Sequence, residues 1–461
     1  MGRKLKLWDA VMLVMGSMIG SGIFIVSADM MRNLGSGYWL IVVWVITAVM
    51  TIAAAITYGE LSAMFPKAGG QYTYITEIFG KLVGFLYGWG LFTVIQTGTI
   101  AAVAVAFGKF TAYLIPALNE ATPLFQSGDF KITWIQILAI VVVLFLTWVN
   151  TRGIENGKLV QDIFTSSKVI ALLGIILLGF ILVKVSQWDG NMSFGWNAFQ
   201  NLKQQGWAPI GSATLLGGIA AAMVGSVFSS VAWENVTFVA GEVENPKRNI
   251  VRAMVLGTSV VMVLYMLTNL VYLNALSRDE IAFAANDRVA VAAAEKMFGS
   301  IGTIVIAVLV MISTFGCING MVMAGARVFQ TMAKDGLFLK SAIENNKNGV
   351  PEKSLWMQGI WTSLLALSGQ YGDLLDMVSF VIVLFYMITV FGVIYLRIKK
   401  PNLERPYRAW FYPVTPLIYL LIGSAFCILL FIYKSEYTWP GLGLILLGLP
   451  VYLFINRKKT A

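Results

Sequence analysis

This sequence predicts an all-α integral membrane protein with twelve transmembrane helices, and three observations carry that prediction. The 461 residues are 58% hydrophobic and only 12% charged, whereas soluble domains average about 25% charged residues. Apolar runs long enough to cross a bilayer, about 20 residues each, recur almost from end to end. Basic residues crowd into alternate connections between these runs, as the positive-inside rule requires of a multi-pass chain.

Taken in order, the predicted spans are approximately 9–31, 38–64, 82–115, 132–150, 159–185, 211–240, 250–275, 299–332, 355–370, 374–397, 412–433 and 439–455. The ninth is the shortest. With the amino terminus in the cytoplasm, 23 of the 33 Lys and Arg fall in cytoplasmic segments and 8 in external loops. An even number of spans then leaves both termini cytoplasmic, in a plasma membrane protein. The net charge of +10 is dispersed over many short loops, so it reports topology and contact with anionic lipid heads. Nucleic acid is a poor explanation, because no single basic patch forms. Two cations remain inside helices, Lys109 and Lys168. Lys109, near the external end of helix 3, is expected to snorkel outward. Glu60, at a cytoplasmic helix end near Lys67, is expected in a loop-locking ion pair or as a solvated charge. Arg3, Lys4 and Lys6 before an apolar run imitate a signal peptide, but no small-residue cleavage site follows, so the first helix is read as retained.

Two spans are interrupted. GSMIGSGIF, Gly16–Phe24, places three glycines in seven residues, each costing about 1 kcal/mol against alanine in a helix. Unwound backbone survives in lipid only where protein buries it or where it lines a cavity. Its freed N–H groups, with the positive end of the next half-helix, suit a carboxylate. The same glycines also fit a close-packing seam between helices. Helix 6 has its own irregular centre, GSVFSSVAWEN, Gly225–Asn235. These two helices head two five-helix sets, about 8–185 and 210–400, with helices 11 and 12, about 410–456, outside them. Matching interruptions in two halves point to inverted repeats that meet at a transport site.

No linker divides the chain, so residues 1–461 are expected to form one transmembrane domain. Of the two larger external segments, 186–209 carries Trp188, Trp196 and Trp207, and 277–297 is expected to form a surface helix capping the exit. Histidine is absent, and the two cysteines, Cys317 and Cys427, lie within predicted helices in no metal-ligand spacing. Neither metal nor cofactor is expected, and a membrane enzyme lacks any evident nucleophile–base pair. A channel would need a filter-like stretch, and none is present.

Five segments combine into a family pattern: GSMIGSGIF; GELSAMFPKAGGQYTYITEIFG (Gly59–Gly80); WENVTFVAGEVENPKRNI (Trp233–Ile250); STFGCINGMVMAGARVFQTMAKDGLF (Ser313–Phe338); and RPYRAWFYPVTP (Arg405–Pro416). In identity, order and spacing they resemble the amino acid–polyamine–organocation superfamily, and within it the L-type amino acid transporter branch with its bacterial relatives. The resemblance covers nearly the whole chain. It implies a leucine-transporter-like fold of twelve helices, ten in a 5+5 inverted repeat, and sodium-independent exchange of neutral L-amino acids.

The resemblance also implies residue roles. Gly20, Ser21, Gly22 and Ile23 match the loop whose N–H groups hold the substrate carboxylate. Met18 and Ile19 match the carbonyls that accept the α-ammonium. Phe228 matches an aromatic that covers substrate from outside, and Ser229, Ser230 and Val231 match the unwound backbone of helix 6. Here the chain departs from its relatives, with Ser-Val-Ala before Trp233; a β-branched Val231 either narrows the pocket or points away from it.

Lys168 in helix 5 matches a lysine standing where sodium-coupled relatives bind their cation. It is expected to hold the helix 1 break against helix 8, with Ser313 and Thr314 as candidate partners; the other reading is snorkelling to the interface. Glu234 resembles the glutamate of proton-sensitive basic-amine antiporters, and a structural hydrogen-bonding role is equally open. That leaves proton-coupled transport of basic amino acids or amines as the alternative function. Asn319 in helix 8 is expected to serve close packing or a polar contact. Animal relatives join a glycoprotein through an external cysteine between helices 3 and 4. Residues 116–133 contain none, so no disulfide-linked heavy chain is expected.

Overall fold

The computed structural model describes residues 5–67, 69–118, 123–127, 130–153, 157–368 and 371–460, mostly as helix. In chain order the helices are α1 (Leu7–Met18), α2 (Gly22–Ile25), α3 (Ser27–Leu34), α4 (Gly37–Met64), α5 (Gln71–Phe79), α6 (Lys81–Gly90), α7 (Gln96–Leu114), α8 (Trp134–Thr151), α9 (Gly157–Leu182), α10 (Trp188–Met192), α11 (Ser212–Ser229), α12 (Asn235–Phe238), α13 (Pro246–Ala275), α14 (Arg278–Ala282), α15 (Val289–Lys334), α16 (Glu352–Ser368), α17 (Tyr371–Lys399), α18 (Val414–Tyr433), α19 (Ser435–Leu446) and α20 (Gly448–Thr460). A π-helical turn, Leu91–Ile95, joins α6 to α7. Two antiparallel hairpins lie in loops, β1 (Phe125–Ser127) with β2 (Phe130–Ile132) and β3 (Phe199–Gln200) with β4 (Ala208–Pro209).

Among the described residues, nine helical segments are long and apolar enough to cross a membrane. They match predicted spans two to five, seven, eight and ten to twelve. The two interrupted spans appear as shorter apolar helices, Leu7–Met18 and Thr214–Ser229. The ninth predicted span is α16, whose 17 residues leave it outside that set. The multi-pass all-α membrane class is borne out. Outward-facing apolar side chains agree with it: Ile170, Leu177 and Ile181 form one exposed stripe along α9, which suits lipid tails and not water.

The packing sets a long central pair. α13 lies against α4 and carries α1 on its flank, while α15 lies against α7 and α9. α3 ends where Gly35 takes the left-handed conformation, φ 54°, and returns its N–H to Met31 O at 2.7 Å, a terminating geometry that glycine adopts without steric cost. Residues 277–297 do not form the single surface helix expected. Ser277 and Glu280 close a capping box that starts α14, which ends at Ala282; a separate turn holding left-handed Asn286 follows, and α15 begins only at Val289. The alanines of this stretch, Ala290, Ala293 and Ala294, are buried.

Charges outside the centre find partners that sequence distance does not reveal. Glu60 is buried and accepts from Arg397 Nε and Nη2 at 3.0 and 2.6 Å and from Ala409 N at 2.9 Å, with Arg405 Nε 3.3 Å away. Lys67, its expected partner, instead approaches Glu77 at 3.9 Å. The contact ties α4 and α17 to the loop before α18. Lys109 does not snorkel; it is 7% exposed and turned inward.

Candidate functional site

α1 stops at Met18 and α2 starts at Gly22, so the predicted unwinding is present and confined to three residues. A helix end leaves its last carbonyls without intrahelical donors. Here three other helices supply them. Lys168 Nζ, from α9, donates to Gly16 O at 2.7 Å. Tyr265 OH, from α13, donates to Met18 O at 2.9 Å. Cys317 Sγ, from α15, lies 3.8 Å from Ser17 O. A fixed ammonium at the negative end of α1 is also favourable to the helix dipole.

The other side of the gap is different. The N–H groups of Gly20, Ser21, Gly22 and Ile23 have no acceptor among the described residues. They open the short run Gly22–Ile25, which passes through Val26 in helical conformation into α3. The gap therefore presents saturated carbonyls on one side and unmatched donors on the other. That polarity suits an anionic group.

The second break is the five residues between α11 and α12. Its serines return to their own helix: Ser229 Oγ donates to Gly225 O at 2.8 Å and Ser230 Oγ to Ser226 O at 2.7 Å. Ala232 sits at φ 68°, a conformation uncommon for a residue with a Cβ. Each half-helix packs against the complementary half of the other break, α1 on α12 and α2 on α11. Gly22 makes that approach possible. A Cβ there would lie 2.0 Å from Ser229 Oγ and 2.8 Å from Ser229 Cβ.

Between the breaks lies a cavity of about 20 Å³, room for about one water molecule. Its wall includes seven of the expected residues: Met18, Gly20, Ser21, Gly22, Phe228, Ser229 and Val231. Val231 is part of this wall. Ile19, Ile23 and Ser230 are buried but not part of the wall; Ser230 turns to α13, where its hydroxyl is 3.4 Å from Met262 Sδ. Thr99 and Val103 of α7 and Cys317 and Met321 of α15 complete the opposite wall and were not anticipated. The one available signal was Thr97–Gly98–Thr99, polar and small residues in an apolar helix. The π-turn just before them, a device frequent at functional sites, leaves no mark in the sequence.

Phe228 and Tyr371 form a lid, their rings 6.2 Å apart and nearly perpendicular. Tyr371 OH is 3.2 Å from Ser21 Oγ. Lys168 is fully buried and does not reach an interface. Its expected helix 8 partners are not engaged: Thr314 Oγ1 donates to Val310 O and Met311 O of its own helix, and Ser313 Oγ has no partner among the described residues. Among the described residues the lysine's hydrogen bond thus runs to α1, where the end of the helix leaves the Gly16 carbonyl in need of a donor. Glu234 is buried at the last position of the second break, and its Oε2 has no hydrogen-bond partner among the described residues. Around it, Trp233 packs against Tyr58 and Tyr386 with ring centres 4.8 and 5.4 Å away. Asn319 makes a polar contact, accepting from Asn150 Nδ2 at 2.8 Å. Among the described residues no group of His, Cys, Asp or Glu is arranged to hold a metal ion.

Comparison with known proteins agrees with the family read from the five motifs. Residues 5–452 match the family described as amino acid permease. The chain is 32% identical to large neutral amino acids transporter small subunit 2 of Mus musculus over 457 residues, covering 98% of this chain and 80% of the relative. It is 29% identical to Asc-type amino acid transporter 1 of Rattus norvegicus, covering 98% and 80%. With b(0,+)-type amino acid transporter 1 of Mus musculus it shares 27% identity, covering 99% and 88%.

Proposed function

The chain belongs to the amino acid permease family, and from that premise we propose that it exchanges neutral L-amino acids across the plasma membrane by alternating access, without sodium. The observation that carries this reading is the polarity of the first break. The substrate carboxylate docks on the unmatched N–H groups of Gly20–Ile23. Its ammonium docks on Ile19 O and on the second lone pair of Met18 O, while its side chain meets Phe228, Val231, Thr99 and Met321. The relatives' names, which specify neutral amino acids and Asc-type and b(0,+)-type transport, support an amino acid cargo.

The architecture that goes with this reading has twelve crossings, including both broken helices and α16. Ten of them form two inverted repeats, about 8–185 and 210–400, and both termini are cytoplasmic. The side of the seat that holds Arg32, Lys109 and Asp287 then faces outward. Lys168 supports sodium independence, since its ammonium already stands at the negative end of α1. Cys317 and Cys427 are buried and unpaired, so the carrier works without a disulfide-linked subunit. A cavity of about 20 Å³ is too small for an amino acid, so α2 and α11 must part for substrate to enter.

Uptake of labelled neutral amino acids into proteoliposomes, empty or preloaded, tests the reading. Uptake that depends on preloading and ignores sodium is expected; equal uptake into empty vesicles overturns exchange. The buried carboxyl of Glu234, whose Oε2 has no hydrogen-bond partner among the described residues, favours one second reading, proton-coupled transport of basic amino acids or amines. On that reading uptake varies with pH and Glu234→Gln removes the dependence, whereas the neutral exchanger shows no such dependence to remove.

A further inference from the structure

Above the Tyr371–Phe228 lid lies a second cavity, of about 340 Å³, within the ~300–1,000 Å³ usual for small-molecule sites. Its wall holds charges of both signs, among them Arg32, Lys109, Asp287 and Asp373. Most of this charge is already matched. Arg32 Nη1 donates to Asp287 Oδ1 and to Ala282 O, both at 2.7 Å. Arg288 Nη1 donates to Lys109 O at 2.9 Å and so fixes the end of α7.

Lys109 is held more loosely, by a long ion pair to Asp287. Its side chain is 9% exposed and its ammonium donates no hydrogen bond among the described residues. The nearest carboxylate oxygen, Asp287 Oδ2, is 3.6 Å away, and the Tyr371 ring centre is at 5.5 Å. A buried ammonium that makes one long ion pair and no hydrogen bond among the described residues is poorly satisfied, and this one borders a cavity large enough for an amino acid. The floor of that cavity is Tyr371, the residue that also touches Ser21 at the seat.

We propose that this chamber is a first docking site for the amino acid, with Lys109 holding its carboxylate before the lid opens. The proposal rests on the exchange reading and adds a station to it. Asp287 and Asp373 line the same chamber, so a zwitterion meets charges of both signs there. The floor residue links the two stations, because Tyr371 must leave Ser21 for cargo to descend to the Gly20–Ile23 donors.

Exchange measured from each face separately tests this, with intact cells for the outer face and inside-out vesicles for the inner. Lys109→Met is expected to raise the outer KM about tenfold, the size of one lost charged hydrogen bond, with the inner KM and maximal rate changed less than about twofold. Lys109→Arg keeps the charge and is expected to restore most of the outer affinity. A fall in maximal rate with unchanged outer KM would make Lys109 a strut of the closed face and overturn the proposal. Equal shifts of KM at both faces would overturn it too, by placing the effect in the seat. If the Met variant does not reach the membrane, Lys109→Gln is read by the same criteria. Wild-type protein that moves no amino acid from either face would defeat the exchange reading itself, a result distinct from either variant outcome.

Discussion

The break after α1 is closed from outside, and the break after α11 closes on itself. The first has its terminal carbonyls matched by Lys168, Tyr265 and Cys317, contributed by α9, α13 and α15. The second has Ser229 and Ser230 folded back on the carbonyls four residues earlier and turns at left-handed Ala232. A gap held by three separate helices is fixed relative to them. A gap whose serines bond within their own helix keeps those bonds wherever it goes. The first break is therefore the better anchored, and the second is the one suited to swing, since its serine bonds travel with it.

The largest expected effect comes from the point where the breaks touch. Gly22→Ala places a Cβ against Ser229, and overpacking of this kind costs about 1–3 kcal/mol or more, so uptake should fall on the order of 100-fold. Gly20→Ala meets Cys317 Sγ at 3.5 Å and Met18 O at 4.0 Å, both ordinary contacts, and should stay within about threefold of wild type. Combining Gly22→Ala with Ser229→Gly should recover much of the loss. Equal damage from the two alanine variants in a transport assay would mean that the breaks do not depend on this approach.

Lys168→Met comes next, because it leaves Gly16 O buried without a donor. The expected cost is about 1–3 kcal/mol, read as a lowered Tm in detergent and a roughly tenfold slower exchange. An unchanged Tm would remove the case for external clamping. Tyr265→Phe deletes one neutral hydrogen bond to Met18 O and should cost about 1 kcal/mol, seen as a several-fold rise in KM. Ser230→Ala, on the self-closed side, should alter stability by no more than about 0.5 kcal/mol and leave transport intact. A Ser230 effect as large as that of Lys168 would erase the contrast between the two breaks.

Much of this was legible in residue order. Three glycines in Gly16–Gly22 announce a helix end in a place where lipid tolerates none, and seven of the ten expected binding residues line the cavity between the breaks. Lys168 was readable as a costly charge, though its partner was not. Helix 8 offered hydroxyls in Ser313 and Thr314, but Thr314 is satisfied within its own turn and the orphaned Gly16 carbonyl takes the ammonium. Lys109 was misread for a related reason. Proximity to a helix end suggests snorkelling, but whether a long side chain turns outward depends on what faces it, and Asp287 stands 178 positions away in the chain. Thr99, Val103 and Met321 escaped because a helix that is apolar all round carries no stripe to say which side meets the seat. Glu60 shows the same limit: its partners Arg397 and Arg405 are fixed by how α4 meets α17, not by the nearby Lys67.

The cavity between the two breaks has room for about one water molecule. A constriction that tight cannot pass a hydrated ion or a continuous file of water. On the carrier reading proposed above, a closed seat would therefore leak little current, and many copies could rest in one membrane without draining its voltage.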